Sequence, residues 1–203
     1  LSLVPTFIAL RDALQSDTGF RLRTRIGAAG GIATPSSLAA AFAMGAAYVV
    51  TGSVNQACRE SGSSDQVRAL LADAGQADTV MAPAADMFEM GVKLQVLKRG
   101  TLFAMRAAKL YELYRAHESL DTLPAAVRAS LEQDLFRQPL DAVWQDTVEF
   151  FKARNPRLIE RAEANPKQKM ALVFRWYLGL SSRWANQGVD DRQADFQVWC
   201  GPA

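Results

Sequence analysis

Residues 26–55, reading IGAAGGIATPSSLAAAFAMGAAYVVTGSVN, constrain the fold more than any other stretch of the chain. Arg25–Ala29 is short, ends apolar and follows the polar run Arg21–Thr24, which suits a buried parallel strand. Gly30 and Gly31 stand at its carboxyl end. Thr34 then occupies an N-cap position and Pro35 the first helical position. The predicted helix runs from Pro35 to Met44, and Gly45 is placed to end it in the left-handed conformation. Ala46–Thr51 reads as the next strand, and Gly52–Ser53 as its exit turn.

Chemistry follows from that backbone. Glycine has no Cβ, so a ligand can approach the main-chain N–H groups closely. With a helix N-terminus behind them, such groups cradle an anion such as phosphate. Two glycine turns at the carboxyl ends of neighbouring parallel strands fit the phosphate site at the end of a (β/α)8 barrel. The plainer alternative is a βαβ unit whose glycines only close tight turns. The spacing is neither the G-x-G-x-x-G of dinucleotide folds nor a loop ending in Gly-Lys-Ser/Thr.

A barrel typically takes about 250 residues, and this chain has 203. If residues 26–55 close a barrel, six strands precede them, so the chain reads as a fragment lacking the N-terminal half of the barrel. Two barrel strands alone leave an open edge and an uncovered apolar face, so poor folding in isolation is expected. Composition is that of an ordinary globular protein, 49% hydrophobic and 22% charged with a net charge of +2. No basic stripe argues for nucleic acid, and no apolar run nears the roughly 20 residues of a membrane span. The start, LSLVPTFIALRDAL, lacks the basic region and cleavage site of a signal peptide. Cys58 and Cys200 are too few for a disulfide framework and read as reduced thiols, which with the lack of a leader points to the cytoplasm.

Leu3–Leu14 carries an apolar pattern near helical period. Gln56–Gly62 reads as a loop, Ser64–Asp65 caps a helix from Gln66 to about Ala74, and Ala77–Ala85 reads as a loop containing Pro83. From Asp86 onward helices dominate. Asp86 and Glu89 have capping-box spacing for a helix reaching Lys98–Arg99, with Gly100 at its end. Further helices are expected over Phe103–Ala116, Pro124 to about Phe136, Leu140–Ala153, a short one after Asn155–Pro156, and Lys167–Asn186. Phe196–Trp199 alternates, as a short strand or an extended tail. The chain thus divides into 1–60, the end of an α/β barrel, and 61–203, a mainly helical subdomain.

On the predicted helix, Asp86, Glu89 and Lys93 share a face at i, i+3 and i+7. They read either as a polar group aimed into an active site or as a cap with a surface ion pair. Arg175 and Arg183, beside Trp176 and Trp184, either grip a phosphate-bearing arm or edge a buried aromatic stripe. His117, the sole histidine, sits near a helix end, where both a general acid and a dipole-stabilised surface cation fit. One histidine and two distant cysteines build neither a hydrolytic triad nor a metal cluster.

Five segments carry a resemblance: GAAGGIATP, AAYVVTGSVNQAC, PAADMFEMGVKLQVLKRGTLFAMRAAKLYELYR, NPKQKMALVFRWYLGLSSRWA and FQVWCGPA. Together they resemble the PfaD-type enoyl reductases of polyunsaturated fatty acid synthases and trans-acyltransferase polyketide synthases, within the nitronate monooxygenase-like flavoprotein superfamily. The resemblance implies an α/β fold, the C-terminal part of an FMN-binding TIM (β/α)8 barrel followed by a helical substrate subdomain. It implies FMN phosphate on the turns at Gly30, Gly31, Gly52 and Ser53. It implies NAD(P)H-dependent reduction of an α,β-unsaturated thioester on an acyl carrier protein. On the functional reading of their shared face, Asp86, Glu89 and Lys93 then approach the substrate from the helical subdomain. Two departures stand out: the first six barrel strands are absent, and Gln168 occupies a place where this family commonly has His, so no essential acid lies there. The rival readings are a non-catalytic helical module that docks a carrier protein, and a nitronate monooxygenase.

Overall fold

The computed structural model describes residues 3–19 and 21–201. The fold is α/β and mainly helical, with two small sheets. Helix α1 (Leu3–Thr18) precedes β1 (Ala28–Ala29), α2 (Pro35–Ala43), β2 (Val49–Val50) and the single turn α3 (Ser53–Gln56). Strands β1 and β2 pair in parallel, Ala28 against Val49 and Ala29 against Val50. They are shorter than the sequence pattern predicts, although Ala47 N–H also donates to Ile26 O at 2.8 Å. Each has a neighbour on one side only among the described residues, so the ladder has little to propagate along.

Helix α2 starts where expected. Thr34 is extended, with φ −120° and ψ 155°, and its Oγ1 accepts from Ser37 N–H at 3.1 Å. Ser37 Oγ accepts in return from the N–H groups of Thr34 and Ala33. Gly45, at φ +93°, turns the chain out of the helix.

Helix α4 (Asp65–Ala72) is capped by Ser64, whose Oγ accepts from Val67 N–H at 3.2 Å. The next two segments correct the sequence reading. The predicted loop at Ala77–Ala85 contains strand β3 (Thr79–Pro83), and the predicted helix over Asp86–Arg99 contains β4 (Lys93–Leu97). The two strands form an antiparallel pair running from Thr79–Leu97 to Pro83–Lys93. Alternation decides the outcome: Lys93 and Gln95 are exposed while Leu94 and Val96 turn inward, a period of two. Gly91 at φ +70° breaks any helix before it, and a Cβ there would collide with Tyr111 Oη. Phe88 anchors the intervening loop, fully buried against Tyr111, Tyr114 and Phe174.

Helix α5 (Phe103–Ala116) packs on β3. Instead of one helix to Phe136, α6 (Ala125–Ser130) passes into a π-helical turn, Leu131–Phe136, closed by Arg137 at φ 58°. Helices α7 (Leu140–Lys152), α8 (Pro156–Ala164) and α9 (Pro166–Gln187) pack together over a continuous core. Asn165 Oδ1 caps α9, accepting from Lys167 and Gln168 N–H groups, and Gly188 ends it at φ 65°. The segment after α9 runs extended along β4, with Leu97 N–H donating to Val198 O at 2.9 Å and Val96 bridging Trp199. No helix of the described residues is long and apolar enough to cross a membrane.

Candidate functional site

The turns after β1 and β2 leave the parallel pair at the same end, because paired parallel strands exit side by side. Gly30 and Gly31 both lie in the left-handed region, at φ +89° and +67°. A Cβ at Gly30 or Gly52 would meet nothing within 4 Å, so both turns face open space. Among the described residues, the N–H groups of Gly31, Ile32, Ser53 and Val54 have no protein acceptor. Such donors, without a protein acceptor beside turns that open outward at Gly30 and Gly52, suit an anion.

The N-terminus of α2 contributes less than its position suggests. Ser37 Oγ already takes the N–H groups of Ala33 and Thr34, and Pro35 has none to offer. The free donors are thus Ser36 in the first turn of α2, Gly31 and Ile32 upstream, and Ser53 and Val54 across the strand pair.

A second element reaches this place from the far end of the chain. Gly201 N–H donates to Ser53 Oγ at 3.0 Å, across 148 residues. Ser53, Gly201 and Cys200 border a cleft of about 100 Å³, closed on its other side by Leu71, Ala74 and Thr79. Burial pushes the Cys200 thiol up, so it stays neutral next to Ser53.

The other sequence-derived residues are dispersed. Asp86, Glu89 and Lys93 do not share a helix face, because the segment is a loop and a strand. Asp86 is exposed on the loop. Glu89 Oε1 accepts from Arg175 on α9 at 3.1 Å and so holds the loop to the helical core. Lys93 lies in an open groove of about 500 Å³ with Met81, Pro83, Tyr111, Glu112 and Arg115. Trp176 and Trp184 pack edge to face at 5.9 Å and join the aromatic core through Phe136 and Tyr177, which favours the core reading of that stripe. His117 is the C-cap of α5. The described residues hold no cluster of His, Cys, Asp and Glu that could bind a metal.

Sequence reasoning missed a buried charge cluster. Asp195 is fully buried and meets Arg106, Arg192 at 3.2 Å and the Tyr177 hydroxyl at 2.7 Å. Arg192 also donates to the carbonyls of Leu135 and Phe136, at the end of the π-helical turn. Burial, then the Asp195 charge, pushes the Tyr177 hydroxyl far up and keeps it protonated. For Arg106, burial works downward, and the Asp195 charge and hydrogen bond outweigh it. The cluster joins α5, the π-helical turn, α9 and the final segment, and is structural. No local signal marks it, because its members lie as many as 89 residues apart.

Residues 117–196 match the family model of the [acyl-carrier-protein] S-malonyltransferase inserted helical domain. The chain is similar along its length to several curated proteins. It is 52% identical to a polyunsaturated fatty acid synthase component of Thraustochytrium sp., over 99% of this chain and 14% of that protein. It is 45% identical to the polyketide biosynthesis protein PksE of Bacillus subtilis, over 100% of this chain and 26% of that protein. The chain thus spans about a quarter or less of these relatives. Among solved structures, the enoyl reductase domain of MlnA, from the macrolactin biosynthesis cluster of Bacillus amyloliquefaciens, superposes with a TM-score of 0.92 at 41% identity, over 99% of this chain and 45% of that one.

Proposed function

We propose that this chain is the C-terminal part of an FMN-dependent enoyl reductase that acts in polyketide or polyunsaturated fatty acid biosynthesis. In this reading residues 1–60 close a (β/α)8 barrel and residues 61–203 form the substrate subdomain. The substrate is an α,β-unsaturated acyl thioester on an acyl carrier protein, the reductant is NAD(P)H, and the cytoplasm is the site of action. One observation carries the reading: two turns exit a parallel strand pair side by side with N–H donors that have no acceptor among the described residues, at Gly31–Ile32 and Ser53–Val54. Exposed apolar side chains on α1, α2 and β2, among them Phe7, Leu10, Phe42 and Val50, support further barrel strands and helices packing there.

Bound FMN supplies hydride transfer between the nicotinamide and the β-carbon of the thioester. The chain's own part is to hold and orient. Gly30 and Gly52 keep the turns open to a phosphate, while Gly31 and Ser53 donate to its oxygens. Lys93 in its groove, with Arg115 beside it, meets the substrate arm. Asp86 stands at the exposed loop, and Glu89 fixes that loop through Arg175.

The test is flavin content and activity in the full-length protein. Wild type is expected to carry FMN and to oxidise NAD(P)H only when an enoyl thioester is present. Gly31→Val, which places a branched side chain at φ +67°, is expected to lose the flavin. Stoichiometric FMN in that variant would sink the phosphate assignment. A flavin-free wild type that still binds carrier protein would instead favour a docking module, and oxygen-dependent turnover of alkyl nitronates without NAD(P)H a nitronate monooxygenase.

A further inference from the structure

The contact between Gly201 and Ser53 joins two parts of the molecule that have no sequence reason to meet. On one side, the segment ending at Gly201 is held by the helical region. Val198 and Cys200 are buried with Phe196, Leu97, Val67 and Ala185, and Leu97 N–H fixes Val198 O. The position of the Gly201 N–H is therefore set by that core. On the other side, Ser53 belongs to the turn after β2, and its Oγ makes no other hydrogen bond among the described residues.

A hydroxyl has one proton and two lone pairs. With one lone pair occupied by Gly201 N–H, the Ser53 O–H is left as a donor, and the described residues offer it no acceptor. It stands on the turn that also presents the free Ser53 and Val54 N–H groups. The neighbouring Cys200 thiol stays protonated, so it adds no negative charge that would repel an anion.

Resting on the phosphate reading above, we infer that Gly201 is a positioning residue whose main-chain N–H turns the Ser53 hydroxyl into a dedicated donor to the FMN phosphate. Through it, the helical region sets one wall of the phosphate site. Flavin affinity thus depends on the final extended segment as well as on the barrel turns.

The experiment compares FMN with riboflavin, which lacks the phosphate, on the full-length protein stripped of flavin. Gly201→Pro removes the N–H. Gly201→Ala keeps it, and its Cβ would sit an ordinary 3.6 Å from Gln95 Oε1. Ser53→Ala, which removes a donor to a charged phosphate, is expected to weaken FMN binding roughly ten- to hundredfold, and Gly201→Pro, which removes a neutral hydrogen bond, roughly two- to tenfold, both leaving riboflavin unchanged. Gly201→Ala is expected to match wild type, and the double variant Ser53→Ala/Gly201→Pro to be no weaker than Ser53→Ala alone. Hydrogen exchange on wild type gives a second measurement that needs no variant: FMN, and not riboflavin, should protect the Gly201 amide. Equal losses for FMN and riboflavin, additive single effects, or an amide indifferent to FMN would overturn the inference. A Ser53→Ala variant that binds FMN like wild type would instead overturn the placement of the phosphate at Ser53, and the inference with it.

Discussion

The two regions of this molecule are built from different materials. Around the parallel pair, the buried side chains are Val4, Ala28, Ile32, Ala41 and Ala46. In the helical region they include Phe88, Phe103, Phe136, Phe174 and Tyr177, ring against ring at 5.5 to 6.4 Å where they pair with one another or with Tyr111. A buried alanine removes far less apolar area from water than a buried phenylalanine, so the first region gains little from its own core. It also leaves Phe7, Leu10, Phe42, Tyr48 and Val50 half exposed. The candidate site uses the backbone of the first region and the anchoring of the second. Small residues let main chains and ligands come close, and the stability that they forgo is supplied by large side chains elsewhere.

The sharpest way to break this comparison is to attack the second region at its buried charge. Asp195→Ala would leave Arg106 and Arg192 without their buried counter-ion. A loss on the order of 3–5 kcal/mol is expected, read as a fall in the denaturation midpoint of the full-length protein. An unchanged midpoint would mean that the helical region does not dominate stability.

A smaller effect is expected in the first region. Thr34→Ala removes the cap that accepts from Ser37 N–H and should cost about 1 kcal/mol. The prediction is that this cost appears as faster amide exchange within α2, with the global midpoint barely moved. A full shift of the midpoint would show that the two regions unfold as one unit.

The smallest effect concerns alkali. Burial raises the Cys200 thiol above its ordinary value near 9.0. The folded state therefore holds that proton more tightly than the unfolded one. Its contribution is fully present below about pH 9 and is lost as the pH rises through the folded value. Melting profiles across that range should fall less steeply for Cys200→Ala than for wild type. In the same protein exposed Cys58 should react with a thiol reagent well before Cys200. Equal reactivity of the two thiols would mean that the last extended segment is not docked.

The elements legible in the sequence were those with local causes. Thr34–Pro35 opened α2, Ser64 opened α4, and Gly45 ended α2. The turns at Gly30–Gly31 and Gly52–Ser53 were readable too, since left-handed glycines and strand ends leave a pattern in a few residues. The loop and strand at 86–97 were misread because capping-box spacing at Asp86 and Glu89 mimics a helix start. The alternation of Lys93, Leu94, Gln95 and Val96 carried the opposing signal, and pairing with β3 decided between them.

By itself, then, the sequence determined the caps, the breakers, the helical character of the second region and the glycine turns. Only the tertiary structure decided that Glu89 belongs to Arg175, that Asp195 gathers Arg106 and Arg192, and that Gly201 reaches Ser53. The physical reason is reach. Caps and turns are closed by atoms three or four residues apart, whereas these contacts, apart from the one between Asp195 and Arg192, join residues 86, 89 and 148 positions apart. No local pattern encodes such a meeting; packing of the aromatic core and docking of the final segment on β4 bring the partners together.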